Sequence, residues 1–238
     1  SSYTATFTPS SGDGISGSIQ VLAGAFTDAA GNPNSASTAT SLTVDTVRPT
    51  VSSFSSTTSD GAYIAGDQIA ITATMSEAVR AGASIVVTLD TGATVTLARA
   101  TAGTTLTGTY TVGVNQSTND LNVASYAIGT VTDAAGNDMT GTTVPTGTSN
   151  IAGAQAITVD TLAPNAPGAP NVTATGGTAG PARTINGTNT GLTASATITA
   201  GQATAGRSEL RLGGVVIATD STILVGDTSA SFGISPGS

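Results

Sequence analysis

The chain has no cysteine, histidine, lysine or tryptophan among its 238 residues. Without cysteine there is no disulfide to staple a fold. Without histidine and cysteine the usual zinc ligands, general bases and thiolate nucleophiles are missing. The lack of lysine removes Schiff-base chemistry, a Walker-type phosphate loop and Lys–Asn isopeptide cross-links. Charge is scarce too, at 8% of residues, with a net balance of −8 that argues against nucleic acid and anionic membrane surfaces as partners. No apolar run approaches the roughly 18 residues that a membrane-spanning helix needs, and Ser1 opens without the basic and apolar regions of a signal peptide. Aromatic residues are few, four Phe and four Tyr, so a core built here is thin and aliphatic. Small β domains with such cores often lean on a metal or on neighbours. What remains for chemistry is carboxylate: 14 acidic residues, of which 12 are Asp. An oxygen-only donor set suits hard cations, calcium above all.

Against this plain background one stretch recurs. Phe26-Thr27-Asp28-Ala29-Ala30-Gly31-Asn32, followed by Leu42-Thr43-Val44-Asp45-Thr46, returns as Val131-Thr132-Asp133-Ala134-Ala135-Gly136-Asn137, followed by Ile157-Thr158-Val159-Asp160-Thr161. The first halves lie 105 residues apart and the second halves 115. That period is too long for a solenoid unit and suits one small domain. The chain therefore reads as a fragment of a domain array.

Residues 1–47 read as the C-terminal part of one domain. Tyr3, Ala5 and Phe7 alternate with Thr4, Thr6 and Thr8, the period of a half-buried strand. A second strand is expected from Ile19 to Phe26 and a last one at Leu42 to Val44, with a turn at Asp28 to Asn32, where Gly and Asn tolerate positive φ. Residues 48–161 read as one complete copy. Strands are expected at Val51–Phe54, Ile69–Met75, Ile85–Val87, Val95–Leu97, Leu106–Val112, Val123–Val131 and Ile157–Val159, with Ser59–Gly66 and Ser76–Gly82 as loops and Asp90-Thr91-Gly92 as a hairpin. Seven short strands without a convincing helix predict an all-β, immunoglobulin-like sandwich. The longer spacing from Asp133 to Asp160 indicates about ten extra residues in the last hairpin. A third domain over 162–238, incomplete or of a sister type, starts with a Pro-rich linker at residues 164–170, with strands expected around 192–198, 210–212, 215–218 and 230–234.

Strand parity sorts the carboxylates. In an up-and-down sandwich the loops alternate between the two ends of the domain. Glu77 and Asp133, with Asp138, then fall at the end where the chain enters the middle domain. There Asp45 arrives from the linker, with Asp13 of the first domain nearby. Asp60, Asp67, Asp90, Asp120 and Asp160 fall at the opposite end, and Asp28 serves a junction further upstream. Like charges crowd together only where a cation or water lies between them. Two metal sites are therefore expected, at Asp45, Glu77 and Asp133 and at Asp60, Asp67, Asp120 and Asp160, with calcium as the cation. The plain alternative is that each Asp caps its own turn or ends a strand in solvent.

Other patterns are set aside on context. Gly12-Asp13-Gly14-Ile15-Ser16-Gly17 matches a dinucleotide fingerprint by letters, but it lies between strands. Asp90-Thr91-Gly92 resembles an aspartic-protease triplet, yet no second copy exists to share its proton. Paired carboxylates for glycoside hydrolysis lack the aromatic platforms such clefts present.

The segments Asp60–Ile69, Met75–Val79, Thr109–Val112, Asp120–Asn122, Asp133–Asn137 and Val159–Thr161, and in the first copy Tyr3–Pro9, Asp28–Asn32 and Val44–Thr46, resemble bacterial immunoglobulin-like tandem repeats of large secreted surface adhesins and biofilm-associated proteins. The resemblance implies a non-enzymatic, calcium-stiffened stalk outside the cell, partnered by neighbouring repeats of the same chain or by other copies in a filament or surface layer. Asn122 stands where many such repeats carry an acid, and the third domain lacks a counterpart of Glu77. A rival expectation is a module that binds sugar or a surface through Thr4, Thr6 and Thr8, and another is a packing unit of a surface layer or sheath.

Overall fold

A computed structural model of the chain describes residue 4 and residues 6–178, 188–197, 205–212, 214–224 and 229–234. The chain forms two compact units, residues 1–161 and 162–238.

In the first unit, β1 (Ile15–Ile19) pairs antiparallel with β2 (Thr40–Val44), Ile15 opposite Val44 and Ile19 opposite Thr40. All of β1 is exposed, as are Phe7, Val21, Leu22 and Phe26 beside it. The strand expected from Ile19 to Phe26 is displaced: β1 covers Ile15–Ile19 and residues 20–26 carry no strand. Of the strand expected at Tyr3 to Phe7, Tyr3 and Ala5 lie outside the described residues and Phe7 sits in irregular chain. The second copy supplies the physical reason. Its counterparts of Phe7, Val21 and Phe26 are Val112, Tyr126 and Val131, all buried in a complete core. Alternation makes a strand only where something covers the apolar side.

That core belongs to residues 48–161. The strands are β3 (Val51–Ser55), β4 (Gly61–Tyr63), β5 (Gln68–Val79), β6 (Ser84–Leu89), β7 (Thr94–Ala98), β8 (Gly103–Thr111), β9 (Ser117–Thr118), β10 (Val123–Thr130) and β11 (Ile157–Asp160). Six of them form one sheet in the order β10-β6-β7-β8-β5-β3, and β4-β11-β9 form another. The seven expected strands are present. The loop expected at 59–66 and the stretch between β8 and β10 each hold a short extra strand, β4 and β9, and β5 runs through Ser76 to Val79 past its expected end.

Laid flat, the outer strands β10 and β3 would stand about 24 Å apart, five spacings of about 4.8 Å. Instead the Phe54 ring of β3 meets the Tyr126 ring of β10 edge to face, with centroids 5.6 Å apart. The sheet thus curls over itself into two layers. The fold line lies between β7 and β8, which share a single residue pair, Ala98 with Thr107. Gly108 permits the close crossing there, since a Cβ would come within 2.4 Å of the Thr96 carbonyl oxygen. Alternation then fills the space between layers. Ile69, Ile71, Ala73 and Met75 of β5 are buried, as are Ile85, Val87 and Leu89 of β6 and Leu106 and Tyr110 of β8. The architecture is an all-β sandwich.

The expected last hairpin is instead a crossover, because β10 and β11 lie in different sheets, and its inserted residues carry a one-turn 3-10 helix (Gly147–Ser149) and α1 (Ile151–Ala154) where no helix is expected from sequence. Buried Asn150 explains both. Its Oδ1 accepts from the backbone N–H of Ile151 (2.8 Å), capping α1. The same amide exchanges bonds with both backbone groups of Val123, at 3.2 and 3.0 Å, as a neighbouring strand would. Ile151 is fully buried behind it.

The second unit contains β12 (Asn171–Thr175), β13 (Gly191–Thr197), β14 (Ala205–Leu212), β15 (Val215–Leu224) and β16 (Ser229–Ile234). They form a β12-β13-β16 sheet and a β14-β15 hairpin, all antiparallel. β12 is an addition to the strands expected from sequence. Among the described residues no helix is long and apolar enough to cross a membrane.

Candidate metal centre

The loop that carries Asp133 is built by its own five residues. Asp133 Oδ1 accepts from the backbone N–H of Gly136 (2.7 Å) and Asn137 (2.8 Å), and Oδ2 accepts from Asn137 Nδ2 (2.7 Å). Gly136 takes φ +105°, a conformation that favours glycine. This is the self-capping role that Asp has in many turns, so the plain alternative holds for this residue. It is not the whole of its setting, because Asp133 is 1% exposed.

Two other elements bring acids to the same place. The β5 extension places Glu77 near the Asp133 turn that follows β10, with Val79 bridging Asp133 and Arg80 N–H donating to the Thr132 carbonyl (2.8 Å). The linker after β2 delivers Asp45, whose Oδ1 accepts from Val47 N–H (3.0 Å) and whose carbonyl accepts from Asn137 Nδ2 (3.2 Å). Arg48 ties the linker down further by donating to the Asp138 carbonyl (2.6 Å), and Pro49 is buried. One carboxylate oxygen each from Asp45, Glu77 and Asp133 then lie within 4.8 Å of one another. This is the trio that strand parity places together.

Its electrostatics are unbalanced. Burial pushes the Glu77 carboxyl up, and the charges of Asp133, Asp45 and Asp13 push it the same way. Glu77 Oε1 is buried with no hydrogen-bond partner. Burial raises Asp133 as well, but the bonds from the Asn137 side chain and from the backbone of Asn137, Gly136 and Ala135 outweigh it and hold the group below its usual value. The ion pairs among the described residues join Glu209 to Arg207 and Arg211, and none reaches the trio. Of the arginines bonded near the Asp133 turn, Arg80 spends its Nη2 on the Ala134 carbonyl (2.8 Å) and Arg48 its Nη1 on the Asp138 carbonyl (2.6 Å).

The remaining sequence candidates stand elsewhere. Asp60 accepts from Ala156 N–H (3.0 Å), tying its loop to the segment before β11, and Asp67 accepts from Ile64 N–H (2.9 Å), settling its own loop. Asp120 exchanges backbone bonds with the Thr118 hydroxyl, and Asp160 ends β11, exposed, opposite Ser117. These four form no group of three carboxylates within mutual reach among the described residues. Asp90 accepts from the Thr118 hydroxyl (2.7 Å) and Asn122 N–H (3.1 Å), so it fastens its hairpin to the neighbouring loop. Asp28 repeats the Asp133 turn in the open, accepting from Ala30 N–H, Asn32 N–H and Asn32 Nδ2, each at 2.9 Å. Asp138 accepts from the Thr132 hydroxyl (2.6 Å).

Asn137 is the residue whose part sequence reasoning misses. It reads as a turn residue, yet one amide group joins the Asp133 carboxylate to the backbone of Asp45. Its recurrence as Asn32 is the available signal, and the shared turn already accounts for that.

Chemically, the three carboxylates match a hard divalent cation. Calcium–oxygen distances of about 2.3–2.6 Å place ligands on opposite sides of the ion about 5 Å apart, in keeping with oxygens within 4.8 Å of one another. The buried, unpartnered Glu77 oxygen is the kind of atom such an ion would satisfy.

Comparison with known proteins gives one match. Residues 1–44 match the family model described as a bacterial Ig-like domain. No curated protein and no solved structure matches the chain. The family match thus supports a bacterial Ig-like domain in the first segment, where none of the described residues is buried, and the adjoining residues 48–161 form an all-β sandwich.

Proposed function

We propose that the chain is a non-enzymatic, structural segment of a bacterial cell-surface adhesin or filament, a tandem array of Ig-like sandwiches outside the cell whose joints calcium stiffens. The observation that carries this reading is the trio at Asp45, Glu77 and Asp133, with its unpartnered buried oxygen. Asp45 belongs to the linker and the other two to the following sandwich. An ion held by all three would couple the linker to the sandwich, because letting go of either would expose uncompensated charge. Three carboxylates supply part of the six to eight oxygens calcium takes, the rest coming from carbonyls and water. The pentapeptide turn keeps Asp133 ionised and aimed before any ion arrives.

The test is calorimetry and small-angle scattering on the full chain after chelation, then with calcium restored. At calcium a hundredfold above its dissociation constant the sandwich gains about 2.7 kcal/mol, a rise in midpoint on the order of ten degrees. The radius of gyration should increase as the joint stiffens. An unchanged midpoint and radius would remove calcium from the account and leave a plain linker.

A further inference from the structure

The ten or so residues inserted between β10 and β11 form one side of an open, cleft-like cavity of about 480 Å³ against the edge strands of the curled sheet. Thr50 and Ser52, at the start of β3, form one side, and Thr143, Thr146 and Ser149 of the insertion form the other. Tyr126 of β10 forms part of the floor, buried and 6% exposed. Its hydroxyl bonds to the carbonyls of Gly141 (3.3 Å) and Thr143 (3.2 Å), which holds the near end of the insertion. Asn150 and Ile151 hold the far end, as described above. The cavity is therefore shaped in advance by bonds beneath it.

We propose that this cavity binds a neutral, hydroxyl-rich ligand, a single unit of a neutral glycan. Its volume falls within the few hundred to a thousand Å³ of small-ligand sites. In a chain with 14 acidic residues, none of the residues lining the cavity is charged. Thr50, Ser52, Thr143, Thr146 and Ser149 among the lining residues each carry a side-chain hydroxyl. The Thr146 hydroxyl makes no capping bond to the helix it precedes, which leaves it available. Pro145 gives an apolar surface of the kind that the C–H face of a sugar ring needs. A charged ligand would find no counter-ion, and a purely apolar one would strip water from the hydroxyls without replacing their bonds. The matching segment of the first copy, Asp28 to Asp45, is ten residues shorter, so the cavity is particular to the middle sandwich. It is independent of the calcium joint, whose residues it does not share.

The test is a titration of the isotope-labelled full chain, followed by amide shifts, with glucose, galactose, mannose and N-acetylglucosamine up to tens of millimolar. Glucuronate and indole serve as charged and apolar controls. A saturable shift confined to residues 50–52, 126 and 141–149 is expected for at least one neutral sugar. Ser52→Leu and Thr146→Leu, which narrow the cavity from opposite walls, should each weaken that binding at least tenfold with the midpoint and the calcium response unchanged. Two variants guard against one that fails to fold. No saturable shift with any neutral sugar, tighter binding of glucuronate or indole, or binding untouched by both substitutions would each overturn the proposal.

Discussion

The chain writes Asp-Ala-Ala-Gly-Asn twice and folds it the same way twice. At Asp28 and at Asp133 one carboxylate gathers two backbone N–H groups and the amide of the Asn four residues on, and Gly31 and Gly136 both take positive φ, +88° and +105°. In both loops these bonds hold the Asp below its usual value. Yet Asp28 lies in the open, whereas Asp133 is buried against Glu77 and Asp45. The pentapeptide encodes a turn, and the turn is not a metal centre. A centre arises only where a second strand and an incoming linker each add an acid to the same turn.

That contrast can be broken most forcefully by removing the carboxylates one at a time. Asp133→Ala deletes three charge-assisted bonds and a proposed ligand, so in calcium it should cost about 3 kcal/mol or more, while Asp28→Ala should leave the main calorimetric transition in place. Equal effects of the two would mean that the turn alone matters. Glu77→Gln offers a change of sign. Without calcium it relieves a buried, repelled charge and should stabilise the sandwich by about 1 kcal/mol; with calcium the variant should fall below the wild type because the ion's contribution is lost. A variant less stable under both conditions would show that Glu77 has a partner the trio does not account for.

Asn137→Ala separates the turn from the joint. It should cost about 1–2 kcal/mol and loosen the linker, read as faster amide exchange at residues 45–49, while Asn32→Ala should leave those amides unchanged. The smallest effect is on pH dependence in the absence of calcium. Because Glu77 titrates above its usual value in the folded chain, the native state holds that proton more tightly than the unfolded state does. Stability from this group is present below the usual glutamate value and is lost as pH rises through the raised one. Asp133 runs the other way, its contribution present above the usual aspartate value and lost as pH falls through its lowered one. Glu77→Gln should abolish the first slope and keep the second, as thermal midpoints between about pH 4 and 7 would show.

Much of this was legible in the residues. Alternation placed all seven main strands of the sandwich, since β5 and its neighbours bury every second side chain. Strand parity brought Asp45 to Glu77 and Asp133 across about 90 residues of chain, because antiparallel strands leave little choice of end. The same counting also put Asp60, Asp67, Asp120 and Asp160 at one end. An end is wider than a coordination sphere, and separate backbone donors, Ala156 N–H and Ile64 N–H, claim Asp60 and Asp67 individually. Apolar alternation misled at Ile19 to Phe26, where no opposing layer covers the strand. β4, β9 and α1 were invisible for another reason: each is two to four residues long and exists through tertiary pairing, with β11 for the strands and through Asn150 for the helix.

The small sheet has one further consequence. β4 and β11 run parallel, Gly61 beside Ile157 and Tyr63 beside Val159, whereas the large sheet is antiparallel throughout. If the segment is pulled by its two ends, β4 is dragged toward the start of the chain and β11 toward its finish. The two then slide past each other along their length, and their cross-links share the load instead of peeling one after another. Three residue pairs would act as a catch against traction, and the strongest resistance would come where the strands are shortest.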